Sequence, residues 1–361
     1  MARIFKLSIL IAILLVPIAG GHSGPSLAGP SPEDSEILVV SRYRSSGGCP
    51  GGPYNCSHIL TLDPATRNTN VVATEYGLTR VGWSPDGSRV AYVKWRDTDD
   101  DPSIVVVNTD GSNRFDLVMP GRGEAGVEWS PDGTQLVYSH RVGMRRSVIY
   151  RREARFGSDE QRVSNPNCEC HDEGPEWSPD GKLIAYERDG TILVSRVGGA
   201  VIRRFSVQGT SVHNQFLTHA AWRPSSKRLF VYGYRKGKVW IARLGDGSMQ
   251  ELTPPDRVRA LGRLSPDGDQ LLVLRRRCDK NGCASEVWVM DPAGQNRLKL
   301  TDTPHEYESN PVWSPDGERI VFSRGTDYVD ADLYVINSDG SDEELVYSTD
   351  GDNIAVGWRN I

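Results

Sequence analysis

Six stretches of this chain stack without a gap: residues 81–93 (VGWSPDGSRVAYV), 127–139 (VEWSPDGTQLVYS), 175–187 (PEWSPDGKLIAYE), 220–232 (AAWRPSSKRLFVY), 262–274 (GRLSPDGDQLLVL) and 311–323 (PVWSPDGERIVFS). Their third positions are Trp83, Trp129, Trp177, Trp222, Leu264 and Trp313, and a shortened copy at 356–361 (VGWRNI) adds Trp358. Successive anchors stand 46, 48, 45, 42, 49 and 45 residues apart. That period, with short alternating apolar runs and no 3.6-residue apolar pattern, is that of a four-stranded propeller blade rather than of a helical repeat.

Each part of the motif has a physical task. The tryptophan ends an innermost strand and can fill the wedge between neighbouring sheets. In Ser-Pro-Asp-Gly, proline presets φ at the second turn position, aspartate suits the third and glycine can take positive φ at the fourth, so the chain reverses tightly. A second strand alternates after the turn (Val90, Tyr92; Ile320, Phe322), and a third follows at 104–107, 148–150, 192–194, 239–241, 287–289 and 333–336. The turns NTDGSN, LGDGSM, DPAGQN and NSDGSD then lead to a short edge strand.

The ends fit the same scheme. Residues 37–40, 58–62 and 70–73 read as second, third and fourth strands with no first strand before them, while 354–358 is a lone first strand near the C-terminus. The expected fold is therefore all-β: a seven-bladed β-propeller over residues 36–361, closed by pairing of the C-terminal strand with the N-terminal strands. Six blades with a stray terminal hairpin is the alternative.

Residues 1–21 (MARIFKLSILIAILLVPIAGG) carry Arg3 and Lys6 ahead of a 13-residue apolar run from Leu7 to Ala19, shorter than a membrane-spanning helix needs. They read as a signal peptide with small residues suiting cleavage after Gly21, or after Ala28; an uncleaved anchor is the other reading. Residues 22–35, rich in Gly, Ser and Pro, read as a flexible leader. The expected location is periplasmic or secreted. With 42 basic and 47 acidic residues, a net charge of -5 offers no long-range attraction to phosphates or anionic membranes, so nucleic acid is excluded as a partner and an integral membrane protein is not expected. Nine Trp and 13 Tyr make the chain too aromatic for a disordered one.

The SPDG repeats resemble those of TolB-type, WD-like propellers of bacterial envelope proteins, which also form the propeller half of prolyl-oligopeptidase-type peptidases. The resemblance covers nearly all of residues 37–361 and implies a propeller. No G-x-S-x-G nucleophile elbow occurs in the sequence, which argues against serine hydrolysis.

Function has to be sought in loops. All six cysteines fall in loops expected on one face, opposite the SPDG turns. Cys49 with Cys56, and Cys278 with Cys283, read as local disulfide staples in an exported protein. Cys168 and Cys170 would form a tight ring, unusual or reactive, or would join His171 as soft ligands for zinc or copper. His171, His219 and His305, expected in loops leading to the central channel, together with Asp172, Glu173, Glu306 and Glu308, form the candidate binding set; as a cation site or acid–base group they would suit a metal-dependent glycan lyase or hydrolase. Exposed loop or strand-capping roles are the plainer reading. Asp97, Asp99, Asp100 and Asp101 resemble an incomplete Ca²⁺ loop, Arg145, Arg146, Arg151, Arg152 and Arg155 a basic patch, and Trp95, Trp240 and Trp288 packing residues. The reading adopted is a monomeric binding module without catalysis of its own and without a cofactor, taking a protein or an extended envelope ligand on its loop face.

Overall fold

A computed structural model describes residues 35–43, 56–94, 103–118, 126–143, 146–165, 170–206, 217–233, 238–252, 258–280, 282–326 and 330–361. All regular structure among them is β-strand, in a propeller-like arrangement of short sheets.

One unit shows the construction. Strands Leu78–Trp83, Arg89–Lys94, Ser103–Asn108 and Phe115–Val118 pair in chain order, each antiparallel to the next. Sheets of the same order begin at Val127–Trp129, Asp172–Trp177 and Leu217–Trp222. The strands from Val258–Leu264 to Glu344–Tyr347 make one eight-stranded sheet, in which two such units touch through a single parallel pairing of Ser285 with Tyr307. The remaining sheet joins the two ends of the described chain. Ser35–Tyr43 pairs outward with Cys56–Leu62 and inward with Asp352–Asn360, from Ser35 opposite Asn360 to Arg42 opposite Asp352 with a register shift between Leu38 and Val39. Trp358 Nε1 donates to Ser35 Oγ at 3.0 Å, Ser41 Oγ to Asn353 Oδ1 at 2.7 Å, and Arg359 pairs with Glu36 at 2.5 Å.

The SPDG turns are small hydrogen-bond cages. Ser84 Oγ donates to Asp86 Oδ1 at 2.6 Å and accepts from the Arg89 amide at 2.9 Å; the Ser88 amide returns to the same Asp86 oxygen. Ser130 with Asp132, Ser178 with Asp180 and Ser265 with Asp267 repeat the pattern. The closing glycines need the left-handed region, as at Gly87 with φ 69°. In the divergent copy at 220–232, Ser226 takes this place at φ 54°, and its hydroxyl is held by the Asp180 amide of the preceding unit at 3.1 Å.

Alternation along the middle strands buries both faces of each sheet. Val90, Tyr92, Val105 and Val107 pack towards the preceding unit, whereas Ala91, Val93, Ile104 and Val106 pack against Trp129, Leu136 and Tyr138 of the next. The anchor tryptophans occupy these wedges and tie units together. Trp129 Nε1 donates to Gly82 O at 3.2 Å, Trp222 Nε1 to Glu176 O at 3.3 Å and Trp313 Nε1 to Arg263 O at 3.1 Å.

Candidate functional site

The residues expected to gather in loops lie in separate units, several on the inner strands themselves. Asp172 and Glu173 belong to the strand Asp172–Trp177, His219 to Leu217–Trp222 and Glu308 to Tyr307–Trp313. The inner strands Asp172–Trp177 and Tyr307–Trp313 start three to four residues before the apolar repeat does, at polar residues that pair across the sheet and are held by side-chain partners. Asp172 is buried and grips Arg188 with both oxygens at 2.6 and 2.7 Å. Glu308, also buried, accepts from Thr303 Oγ1 at 2.5 Å and Arg324 Nε at 3.2 Å, while Arg324 forks onto Glu343 at 2.5 and 2.6 Å and approaches Glu306 at 3.6 Å. Burial raises the pKa of Glu308 against the pull of Thr303 and Arg324. These are paired groups inside the scaffold. Glu308 Oε2 is buried with no hydrogen-bond partner among the described residues.

His171 lies beside a parallel bridge to Ser147, with Nδ1 3.9 Å from Glu173, and both side chains are exposed. Glu173 faces Glu187 across the strand pair; burial first, and then the neighbouring charges of Glu173 and Asp189, push Glu187 up to about 7 against a hydrogen bond from the Gly190 amide. His305, at φ 65°, borders a small recess with Arg277, Gly282, Cys283, Ala284, Thr303 and Pro304. The His219 side chain lies outside the described residues. Among the described residues no group of three or more His, Cys, Asp and Glu side chains is placed to hold a metal ion. Cys278 and Cys283 form a disulfide; Cys56 and Cys170 are disulfide-bonded, while Cys49 and Cys168 lie outside the described residues, as do Asp97, Asp99, Asp100, Asp101, Trp95, Arg145 and residues 1–34.

A different set does meet. The residue before each anchor is Gly82, Glu128, Glu176, Ala221, Arg263, Val312 and Gly357 in turn. Gly82, Glu128, Arg263, Val312 and Gly357, from five units, line one cavity of about 700 Å³ whose rim includes the turn residues Ser84, Pro85, Asp86, Pro266 and Pro315. Its walls also include Trp83, Trp129, Trp313 and Trp358. A Cβ at Gly82 would meet nothing within 4 Å, so there is open space in front of it.

Glu128 Oε2 accepts the Trp177 amide at 2.9 Å, reaching from its own unit to the next. Burial pushes the Glu128 carboxyl up to about 7, opposed by the Arg263 guanidinium and by the Trp177 amide. Glu176 is raised well above the ordinary carboxyl range, by burial first and then by the Glu128 charge, with Arg263 again opposing. Its Oε2 is shielded from solvent with no hydrogen-bond partner among the described residues. Two neighbouring carboxyls sharing one arginine and shielded from water cannot both ionise at low cost. Such a pair either shares protons or awaits a cation. The signal was present in the sequence at one position of the repeat, where Glu, Glu and Arg interrupt small or apolar residues; it becomes a site only when the units surround a common space.

Fold and cavity together define a propeller-like protein whose strands from several units present chemistry to a common space. The family described as the TolB beta propeller domain (PD40) matches residues 167–361, more than half of the chain, and this protein belongs to it. Among curated proteins it is 35% identical over 83 residues to the "Uncharacterized peptidase YuxL" of Bacillus subtilis, 23% of this chain and 12% of that one. It is 34% identical over 99 residues to "Tol-Pal system protein TolB" of Anaeromyxobacter dehalogenans, 27% of this chain and 21% of that one. The matches thus span about an eighth to a fifth of those relatives' length. Among solved structures, TolB from Acinetobacter baumannii superposes with a TM-score of 0.53 at 16% identity, covering 89% of this chain and 66% of that one. A putative 6-phosphogluconolactonase from Bacteroides fragilis gives 0.60 at 16%, covering 92% and 100%. A chain from a study of two prolyl endopeptidases gives 0.62 at 15%, covering 90% and 51%. The structural likenesses speak to the fold. They also correct the expectation of a protein without catalysis: relatives named as a peptidase, an endopeptidase and a putative lactonase share this propeller, so the fold does not separate binders from enzymes.

Proposed function

We propose that this chain is an exported, seven-bladed envelope propeller that binds a segment of a protein partner at the turn-side mouth of its central opening. The seven four-stranded groupings and the shared sheet of the two chain ends support the ring, and the N-terminal 1–21 segment supports export. The observation that carries the binding reading is the throat itself, where tryptophans and turn prolines stand among polar groups around Glu128 and Arg263, with Glu176 close enough to feel both charges. Burying carboxyls beside one another is unfavourable for folding alone and favourable for receiving a cation, here the lysine, arginine or amino-terminal group of the entering segment. On this reading the partner enters from the side of the SPDG turns.

The test compares capture from envelope extract by immobilised wild type, by Glu128→Gln/Glu176→Gln and by Gly82→Arg, which fills the throat. A partner held by wild type and lost from both variants supports the reading; one held equally by all three sinks it. A second reading, acid–base chemistry at the same carboxyl pair, rests on their raised pKa values, since one carboxyl stays protonated while its neighbour ionises near neutral pH. A hydrolytic activity on peptide or lactone substrates that disappears in either single Gln variant would favour it.

A further inference from the structure

We propose that the Cys278–Cys283 disulfide is a thiol-exchange site for small anionic thiols, a property separate from the throat. The bond spans the end of a hairpin, Leu271–Asp279 with Gly282–Met290, whose strands are already paired at nine positions, with the two cysteines directly opposite each other. Leu272, Leu274, Val287 and Val289 anchor the other end in the core. Cross-linking residues five apart closes a loop that the turn closes anyway, so the bond adds little restraint.

Its surroundings favour chemistry. Cys278 is exposed, and Cys283 is half-buried beside the recess that His305 borders. Gly282 is exposed beside it, 3.5 Å from His305 Nδ1 as measured from an ideal Cβ position, so the glycine and the imidazole border the same approach. Arg276 Nη2 lies 3.4 Å from Cys283 Sγ. Arg277 is engaged by Asp302 at 3.2 Å and Glu286 at 3.6 Å, which leaves Arg276 as the cation directed at sulfur, with Lys280 exposed at the hairpin end. A guanidinium at that distance lowers the pKa of a departing thiolate and makes it the better leaving group.

In the reaction, the thiolate of a small thiol attacks Cys278 Sγ, the S–S bond breaks, and its electron pair passes to Cys283 Sγ beside Arg276. A second molecule of the thiol, as thiolate, attacks the mixed disulfide at the small molecule's sulfur; the small disulfide leaves, and Cys278 and Cys283 take up the two protons the thiols lost. Two thiols are oxidised to one disulfide as the protein's disulfide becomes a dithiol.

The experiment treats the full-length protein with reduced glutathione or with cysteamine at equal thiolate concentration, and locates adducts by peptide mass mapping. Expected are an adduct on Cys278, a preference of about tenfold for glutathione that collapses towards unity in 1 M salt, and a slowing of about tenfold in Arg276→Gln. Cys278→Ser/Cys283→Ser should melt within a few degrees of wild type. An adduct on Cys283, no adduct on this hairpin, or a preference that persists in 1 M salt would overturn the proposal. So would a large loss of melting temperature in the double variant, which would mark the bond as a staple.

Discussion

At the scale of single residues, two kinds of carboxyl respond to pH in opposite senses. In the turns, the serine hydroxyl's hydrogen bond is the main cause holding Asp86, Asp132 and Asp267 below the ordinary range. Stability from these groups is present above the unfolded pKa near 4 and is lost as pH falls through their lower folded values. Glu128 and Glu176 are raised, so the folded state holds more protons than the unfolded one, and stability falls as pH rises from about 4.5 through about 7 for Glu128 and on through the raised value of Glu176. Melting curves of Glu128→Gln/Glu176→Gln should lose that decline and lie above wild type at pH 8. A parallel decline in both proteins would count against a carboxyl pair held above its ordinary range in the folded state. Ser84→Ala tests the turn cage: it strands the Arg89 amide and removes the Asp86 contact, so denaturant unfolding should show a cost of about 1–3 kcal/mol.

Between elements, the anchors predict a graded series. Trp129, Trp222 and Trp313 each reach back to a carbonyl of the preceding unit, whereas Trp177 Nε1 is buried with no partner among the described residues. Replacement by Phe should therefore cost about 1 kcal/mol more at Trp129 than at Trp177, read from urea midpoints at equal slope. Equal costs would show that the tryptophans act by volume alone. The anchors, their turns and the alternating middle strands were legible in the sequence because apolar period and turn chemistry act within a dozen residues. The early part of each inner strand was less so, since Asp172 and Glu308 are polar and are held by ion pairs with Arg188 and Arg324 on the neighbouring strand. The throat was hidden for a related reason. Glu128, Glu176 and Arg263 are far apart in sequence and acquire a common environment only by occupying one position of the repeat in different units.

For the whole molecule, the proposed ring depends on the shared sheet of the chain ends. Deleting residues 352–361 removes the inner partner of Ser35–Tyr43 together with Trp358, and should lower the melting temperature by more than about 10 °C and broaden the transition. An unchanged melt would mean the ends are joined without consequence. The ring also sets the logic of the throat: a cation entering between the two carboxyls favours their ionised forms, so binding releases protons and strengthens as pH rises towards and past the raised pKa values. The most direct measurement is the dissociation constant of the captured partner at pH 5.5 and pH 8, for wild type and for Glu128→Gln/Glu176→Gln. Binding about tenfold tighter at pH 8 in wild type, and weak and pH-independent in the variant, is the predicted result. Equal affinity in the two proteins at both pH values would contradict a partner seated over the carboxyl pair.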